Sequence, residues 1–316
     1  MSVLPFEPAA ALAVRSEERR WLVESLWADE AVGIVGGEPK CCKSFLALDL
    51  AVAVASGVPC LRRYAVPRPG RVLFYAAEDA LDVVRRRFEG ICSAAGVELA
   101  DLDVQVITAP ALRLDQKDDR ERLAETVAAL RPRLLVLDPF VRLHRIDENV
   151  SGEVAPLLAY LRELQRAHQL AVVVVHHARK GAARARAGQA LRGSSEFHAW
   201  GDSNLYLRRV GEHLTLTVEQ RAAAPIAGIT LALEAQGDAL ALRVIDRRSE
   251  PDAPTKAPSL QDRVERALAE ALGPLTVAEI RRSCRIRTAT LCAILAELVA
   301  QGRVRHTAAG YLPAER

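Results

Sequence analysis

Between Trp21 and Asp246, short apolar runs alternate with longer stretches in which apolar and charged positions recur at helical spacing. Residues 31–35, 71–77, 103–108, 134–137 and 171–175 are brief and rich in Val, Leu and Ile, which predicts buried strands. Residues 44–56, 82–95, 118–130 and 151–168 lie between them and predict helices. Strand and helix in alternation imply parallel pairing, right-handed crossovers and a sheet covered on both faces, so the fold class is α/β. Residues 205–207, 214–219, 229–234 and 239–245 follow at hairpin spacing and predict an antiparallel extension of the same sheet.

The pattern changes after SEPDAPTKAPS at 249–259, a stretch of Pro, Ala and charge that reads as a linker. A helix is expected over 260–271. Thr276 and Glu279 have the spacing of a capping box and open a second helix over 276–283. A turn at 284–287 leads to a third helix over 288–300, closed by Gly302, and RVRHTAAGYLP can form a short hairpin. Helix, helix-turn-helix and hairpin together predict a small winged helix. The expected organisation is an arm at 1–20, a nucleotide-binding domain at 21–248, the linker, and a winged-helix domain at 260–316.

Composition narrows the classes. Half of the 316 residues are hydrophobic but only 4% are aromatic, so the core must be built mainly of Ala, Val and Leu. A net charge of +3 says little by itself; the placement of the arginines matters more. No apolar run is long enough to span a membrane, and the first residues are too acidic and broken for a secretory signal, so a cytoplasmic chain is expected. The six cysteines lack ligand spacing, and Cys60, Cys92, Cys284 and Cys292 are expected to be buried free thiols.

The most specific stretch is GGEPKCCKS at 36–44, between an apolar strand and the helix SFLALDLAVAVAS. It fits the phosphate-loop pattern G-x-x-x-x-G-K-[ST] at Gly37, Lys43 and Ser44, with Glu38, Pro39, Lys40 and Cys41 between and Phe45 following. Cys42 stands where the pattern has its second glycine. Such a loop turns successive backbone N–H groups and a helix N-terminus toward phosphates. Lys43 would reach the β- and γ-phosphates of ATP, Ser44 would bind Mg²⁺, and Lys40 adds charge nearby. Cys42 is expected to be strained if its place requires positive φ. A thiol beside Lys43 and a helix N-terminus is expected to have a lowered pKa, hence redox or alkylation sensitivity at Cys41 or Cys42.

Further polar groups end other strands: Asp138 in LLVLDPF, a site for the Mg²⁺ shell; Glu78 in VLFYAAED, able to deprotonate an attacking water; and His176 and His177 in VVVVHHARKG. Adjacent strand residues point to opposite faces, so one histidine alone is expected to face the nucleotide. An acid taken singly reads first as a capped strand end; gathered at carboxyl ends beside a phosphate loop, these groups mark a ligand site.

This ordered set, with HRIDENVSG after Asp138 and LRGSS after HHARKG, resembles the RecA-like ATPases of the plasmid RepA hexameric helicase type over roughly residues 21–224. The resemblance implies a ring-forming, ATP-driven motor on single-stranded DNA. It implies Glu78 as catalytic base, Asp138 as the Mg²⁺ acid and His177 as γ-phosphate sensor. It also implies an arginine supplied by a neighbouring subunit, for which Arg221 is the first choice and Arg208 the second. Cys42 departs from the family's glycine.

Two basic clusters bear on partners. Residues 178–195 carry Arg179, Lys180, Arg184, Arg186 and Arg192 with no acid before Glu196, at the position of the central DNA-binding loop of RecA-like proteins; the alternative is a solvated surface loop. Residues 144–152 form a second loop, for DNA or for a subunit contact. Near the third C-terminal helix lie Arg281, Arg282, Arg285, Arg287, Arg303 and Arg305, a footprint for duplex DNA. That helix, TATLCAILAELVAQ, has few base-reading side chains, so a protein-docking role stands beside the DNA one. The expected function is an ATP-hydrolysing, oligomeric DNA motor. The alternatives are an ATP-switched DNA-binding regulator and a partner-recruiting ATPase that does not unwind.

Overall fold

The computed structural model describes residues 6–12, 20–177, 196–221, 223–236, 239–245, 260–269, 271, 273–284 and 286–314. They fall into two compact units, Met1–Asp246 and Arg247–Arg316.

The first unit opens with a two-stranded hairpin, β1 (Trp21–Val23) and β2 (Trp27–Ala28). The main sequence of elements is then β3 (Val32–Gly37), α1 (Lys43–Ser56), β4 (Val72–Ala76), α2 (Leu81–Ala95), β5 (Val104–Val106), α3 (Lys117–Leu130), β6 (Leu134–Asp138), α4 (Ser151–His168) and β7 (Ala171–His177). After the short α5 (Glu196–Trp200) come β8 (Ser203–Val210), β9 (His213–Gln220), β10 (Ile226–Gln236) and β11 (Ala239–Val244). The expected strands and helices all form, with ends shifted by a few residues. The opening hairpin and α5 are additions, too short to leave a periodic signal.

Nine strands make one sheet in the order β5-β4-β6-β7-β3-β8-β9-β10-β11. Pairing is parallel from β5 to β8 and antiparallel from β8 onward. This is a RecA-like P-loop α/β fold. The sequence placed β8 within the antiparallel extension; instead it is the joint, parallel to β3 on one side and antiparallel to β9 on the other.

Alternate residues of the central strands serve opposite faces, which is why their runs are continuously apolar. On one face Val35, Phe74, Val136 and Val173 pack with Leu46, Leu50 and Val54 of α1 and with Phe88 and Ile91 of α2. On the other, Ile34, Leu73, Leu135 and Val172 pack with Leu123 and Val127 of α3 and with Leu157 and Leu161 of α4. The helices thus fix the strand tips, and the tips carry the site.

The second unit contains α6 (Leu260–Ala269), α7 (Val277–Cys284), α8 (Thr288–Ala300) and a two-stranded antiparallel sheet of β12 (Val304–Thr307) and β13 (Gly310–Pro313). The capping box forms in both directions. The Glu279 amide approaches Thr276 Oγ1 at 3.4 Å, and Glu279 Oε2 accepts from the Thr276 amide at 2.8 Å. Val264, Leu268, Ile280, Leu291, Leu295 and Leu298 make its core. Cys60, Cys92 and Cys284 are buried free thiols, but Cys292 is exposed, contrary to expectation. On α8 the inward stripe is Leu291, Leu295 and Leu298, which turns Cys292 outward.

One close approach holds the sheet at β3. A Cβ built on Gly33 would lie 1.7 Å from the Ser203 carbonyl oxygen and 3.0 Å from Trp27. Gly33→Ala is therefore expected to destabilise the first unit by about 3 kcal/mol. Gly96→Ala, which meets nothing within 4 Å but has φ +71°, should cost about 1 kcal/mol. Urea unfolding of the two variants measures the difference.

Candidate nucleotide site

β3 runs fully buried to Gly37, and α1 begins six residues later at Lys43. The turn between them is tight. Gly37 has φ +155°, and a Cβ there would meet the Leu207 carbonyl oxygen at 2.3 Å and Cys41 Sγ at 2.7 Å. Lys40 and Cys42 both take left-handed backbone, at φ 63° and 64°. Cys42, with ψ 27°, is the N-cap of α1. The sixth place of the loop pattern thus does need a left-handed residue, and this chain fills it with cysteine. For an L residue that conformation costs roughly 1–2 kcal/mol.

The loop folds around its lysine. Lys43 is buried at 5% exposure, and its Nζ donates to the Glu38 carbonyl at 2.8 Å and lies 4.0 Å from Cys41 Sγ. Burial pushes its pKa down, against the opposing pull of Cys41, Asp138, Cys42 and Glu78. Asp138 ends β6, nearly buried at 7% exposure. Burial raises its carboxyl to about 6, opposed by a hydrogen bond from Ser44 and by the charge of Lys43, and assisted by Asp79 and Glu78. Ser44 and Asp138, adjacent and facing the loop, are suited to a hard divalent cation that takes its other oxygens from phosphate and water. Among the described residues, no group of three or more His, Cys, Asp or Glu gathers as a protein-only metal site.

A cleft of about 240 Å³ opens over this arrangement. Lys40, Cys42, Lys43, Ser44 and Phe45 line it from the loop, and Glu78, Asp138 and His177 from the tips of other strands. Of the two histidines, His177 lines the cleft, whereas His176 is buried on the other face, stacked on Phe197 at 4.2 Å between ring centroids. Sheet alternation separates them as expected.

The thiols behave differently from expectation. The pKa values of Cys41 and Cys42 are raised, not lowered. Loss of hydration is the largest effect at both, and it exceeds the attraction of Lys43 at Cys41 and of Arg209, Lys43 and Arg87 at Cys42. The expected thiol reactivity loses its electrostatic basis.

Two arginines join the site that sequence reasoning passed over. Arg87 lines the cleft, lies over the Phe45 ring at 5.3 Å and pairs with Asp79 through both terminal nitrogens. In the run Arg85–Arg86–Arg87, only Arg87 is spaced three and four residues from the buried Val84 and Ile91, so it leans inward; that spacing was the available signal. Arg209, near the end of β8, donates to the Lys40 carbonyl at 3.2 Å. Only the three-dimensional pairing of β8 with β3 brings it there.

Other expected residues lie elsewhere. Arg208 follows Leu207, which pairs with Gly37, and so stands at the loop end of the sheet. Arg221 is at the opposite end, where it meets Asp202 at 3.3 Å and donates to the Ala199 carbonyl at 2.7 Å. Arg179, Lys180, Arg184, Arg186, Arg192 and Arg285 lie outside the described residues. Arg281 and Arg287 are exposed on the second unit. In the 144–152 segment His144 and Glu148 turn inward, 3.3 Å apart and buried, which anchors the loop to the protein.

Fold and cleft together define a P-loop ATPase domain. The model of the AAA domain family matches residues 2–183, and the chain belongs to that family. ATP binding follows from this membership. No helix among the described residues is long and apolar enough to cross a membrane.

Two measurements follow from the loop. Cys42→Gly should relieve the left-handed strain and stabilise the fold by about 1 kcal/mol, whereas the β-branched Cys42→Val should destabilise it by more than that; thermal unfolding reads both. The raised Asp138 pKa sets a pH dependence. Its folded value of about 6 exceeds the ordinary 3.8, so the folded state holds more protons between them. Stability without magnesium and nucleotide should then be greatest below about pH 4 for this group and fall as pH rises to about 6. Asp138→Asn should flatten that part of the urea-unfolding profile.

Proposed function

We propose that this chain is an ATP-hydrolysing, oligomeric DNA motor of the RepA helicase type. The single observation that carries the reading is the cleft, where the loop lysine, the Ser44–Asp138 pair, Glu78 and His177 share one small volume. The carboxylate beyond β4 and the imidazole at the end of β7 flank the Asp138 tip of β6 and supply the groups that hydrolysis needs.

The roles follow from the chemistry. The loop amides and Lys43 hold the β- and γ-phosphates, and the buried amine loses little energy to competing water. Ser44 and Asp138 would hold Mg²⁺, which when bound neutralises phosphate charge. Glu78 takes a proton from the attacking water. His177, which lines the cleft, would sense the γ-phosphate and relay its presence to the basic residues that follow β7 in sequence. Arg87, resting on Phe45, supplies further positive charge at the mouth. Arg221 or Arg208 would be donated to a neighbour's cleft, which calls for a closed ring of subunits.

Single-stranded DNA is assigned to the basic stretch 178–195, and duplex DNA or a protein partner to the C-terminal unit as a winged helix. That unit supports a second reading, an ATP-switched DNA-binding regulator, because Arg281 on α7 and Arg287 at the start of α8 are exposed. Lys43→Ala should abolish ATP turnover, and retained turnover would remove the site assignment. Strand displacement by the purified protein with Mg-ATP separates the motor from the regulator. Light scattering with nucleotide should give a ring-sized particle; a monomer would contradict the arginine donated between subunits.

A further inference from the structure

Glu78 stands between two clefts. One is the nucleotide cleft. The other, about 290 Å³, is lined by Tyr75, Pro110, Arg113 and Arg142 together with Glu78 itself. In this structure the carboxylate is committed to the second cleft, because Arg142 Nε donates to Glu78 Oε1 at 2.7 Å. A carboxylate that accepts from a guanidinium is turned toward its partner and away from a water in the nucleotide cleft.

Arg142 is mounted for this contact. It closes a short 3₁₀ turn, Phe140–Arg142, pinned by the fully buried Phe140. Arg113 clamps the same backbone, donating to the Arg142 carbonyl at 2.7 Å and to the His144 carbonyl at 3.2 Å. The main chain is thus fixed, while the Arg142 side chain remains 60% exposed and its partner 40%. An ion pair this open is held weakly and exchanges readily for another anion. The cleft offers two guanidinium groups against the one carboxylate among its lining residues. Guanidinium groups match the oxygens of a phosphate in a forked geometry.

We propose that this second cleft receives a phosphate group, and that phosphate on Arg142 releases Glu78 to act on the nucleotide. Arg142 is then a positioning residue that restrains the base until the anion arrives. The proposal rests on the reading of Glu78 as catalytic base. It links ATP turnover to an anionic ligand that does not enter the nucleotide cleft.

Steady-state ATP hydrolysis tests it, with wild type, Arg142→Ala, Arg142→Lys, Glu78→Gln and the double variant Glu78→Gln/Arg142→Ala, each with and without oligodeoxythymidine or inorganic phosphate. Thermal unfolding checks that every variant is folded. Arg142→Ala should raise basal kcat about fivefold, the size of effect expected for one open ion pair, with little change in KM for ATP. Added anion should accelerate wild type but not Arg142→Ala, and Arg142→Lys should fall between the two. Acceleration by the oligonucleotide alone assigns the phosphate to a nucleic-acid backbone; acceleration by inorganic phosphate assigns it to the free ion. A basal rate in Arg142→Ala that is unchanged or lower overturns the proposal, as does a wild type that neither anion accelerates. Turnover retained in Glu78→Gln would instead remove the reading of Glu78 as base, a separate failure.

Discussion

The left-handed turn between β3 and α1 is the constraint on which the site depends. It brings Lys43 back under the loop, points the N-terminus of α1 at the cleft and sets Ser44 against Asp138. The turn is held from outside as well as by its own backbone. Leu207 of β8 closes over Gly37 so tightly that no side chain fits, and Arg209 reaches the Lys40 carbonyl. Because β8 is parallel to β3 and antiparallel to β9, the junction of the two halves of the sheet doubles as the floor of the phosphate loop. Cys42 can occupy a glycine's place because its neighbours determine the conformation; the cost is on the order of 1–2 kcal/mol, within what a packed sheet can bear.

The remaining groups arrive by a simpler rule. Parallel strands end on the same edge, so Glu78 beyond β4, Asp138 at the end of β6 and His177 at the end of β7 meet the loop without further arrangement. The environment then separates the two carboxyl groups. Asp138 is buried and lifted toward 6, whereas Glu78 remains half-exposed and bound to Arg142. One is suited to a fixed place beside a cation; the other can swing between two partners.

Much of this was legible in the sequence because burial on both faces leaves unbroken apolar runs and because the phosphate loop has fixed spacing. The strand tips at Asp138 and His177 followed from those runs directly. Arg87 was hidden in a run of three arginines that reads as a solvated face, and Arg209 in a strand whose neighbour could not be known before pairing. The sequence shows the charge near Cys41 and Cys42 but not the loss of hydration that raises their pKa values. Residue type alone suggests a buried Cys292, but the inward stripe of α8 passes one position before it. In the second unit, the Thr276–Glu279 box was read correctly because capping is a local interaction.

A phosphate loop with cysteine at its left-handed corner is here a working nucleotide site. Calorimetric titration of the wild-type chain with ATP in the presence of Mg²⁺ tests it most directly. Saturable binding of one nucleotide per chain, weakened when Mg²⁺ is withheld, is the expected result. Absence of saturable binding in folded protein would contradict it.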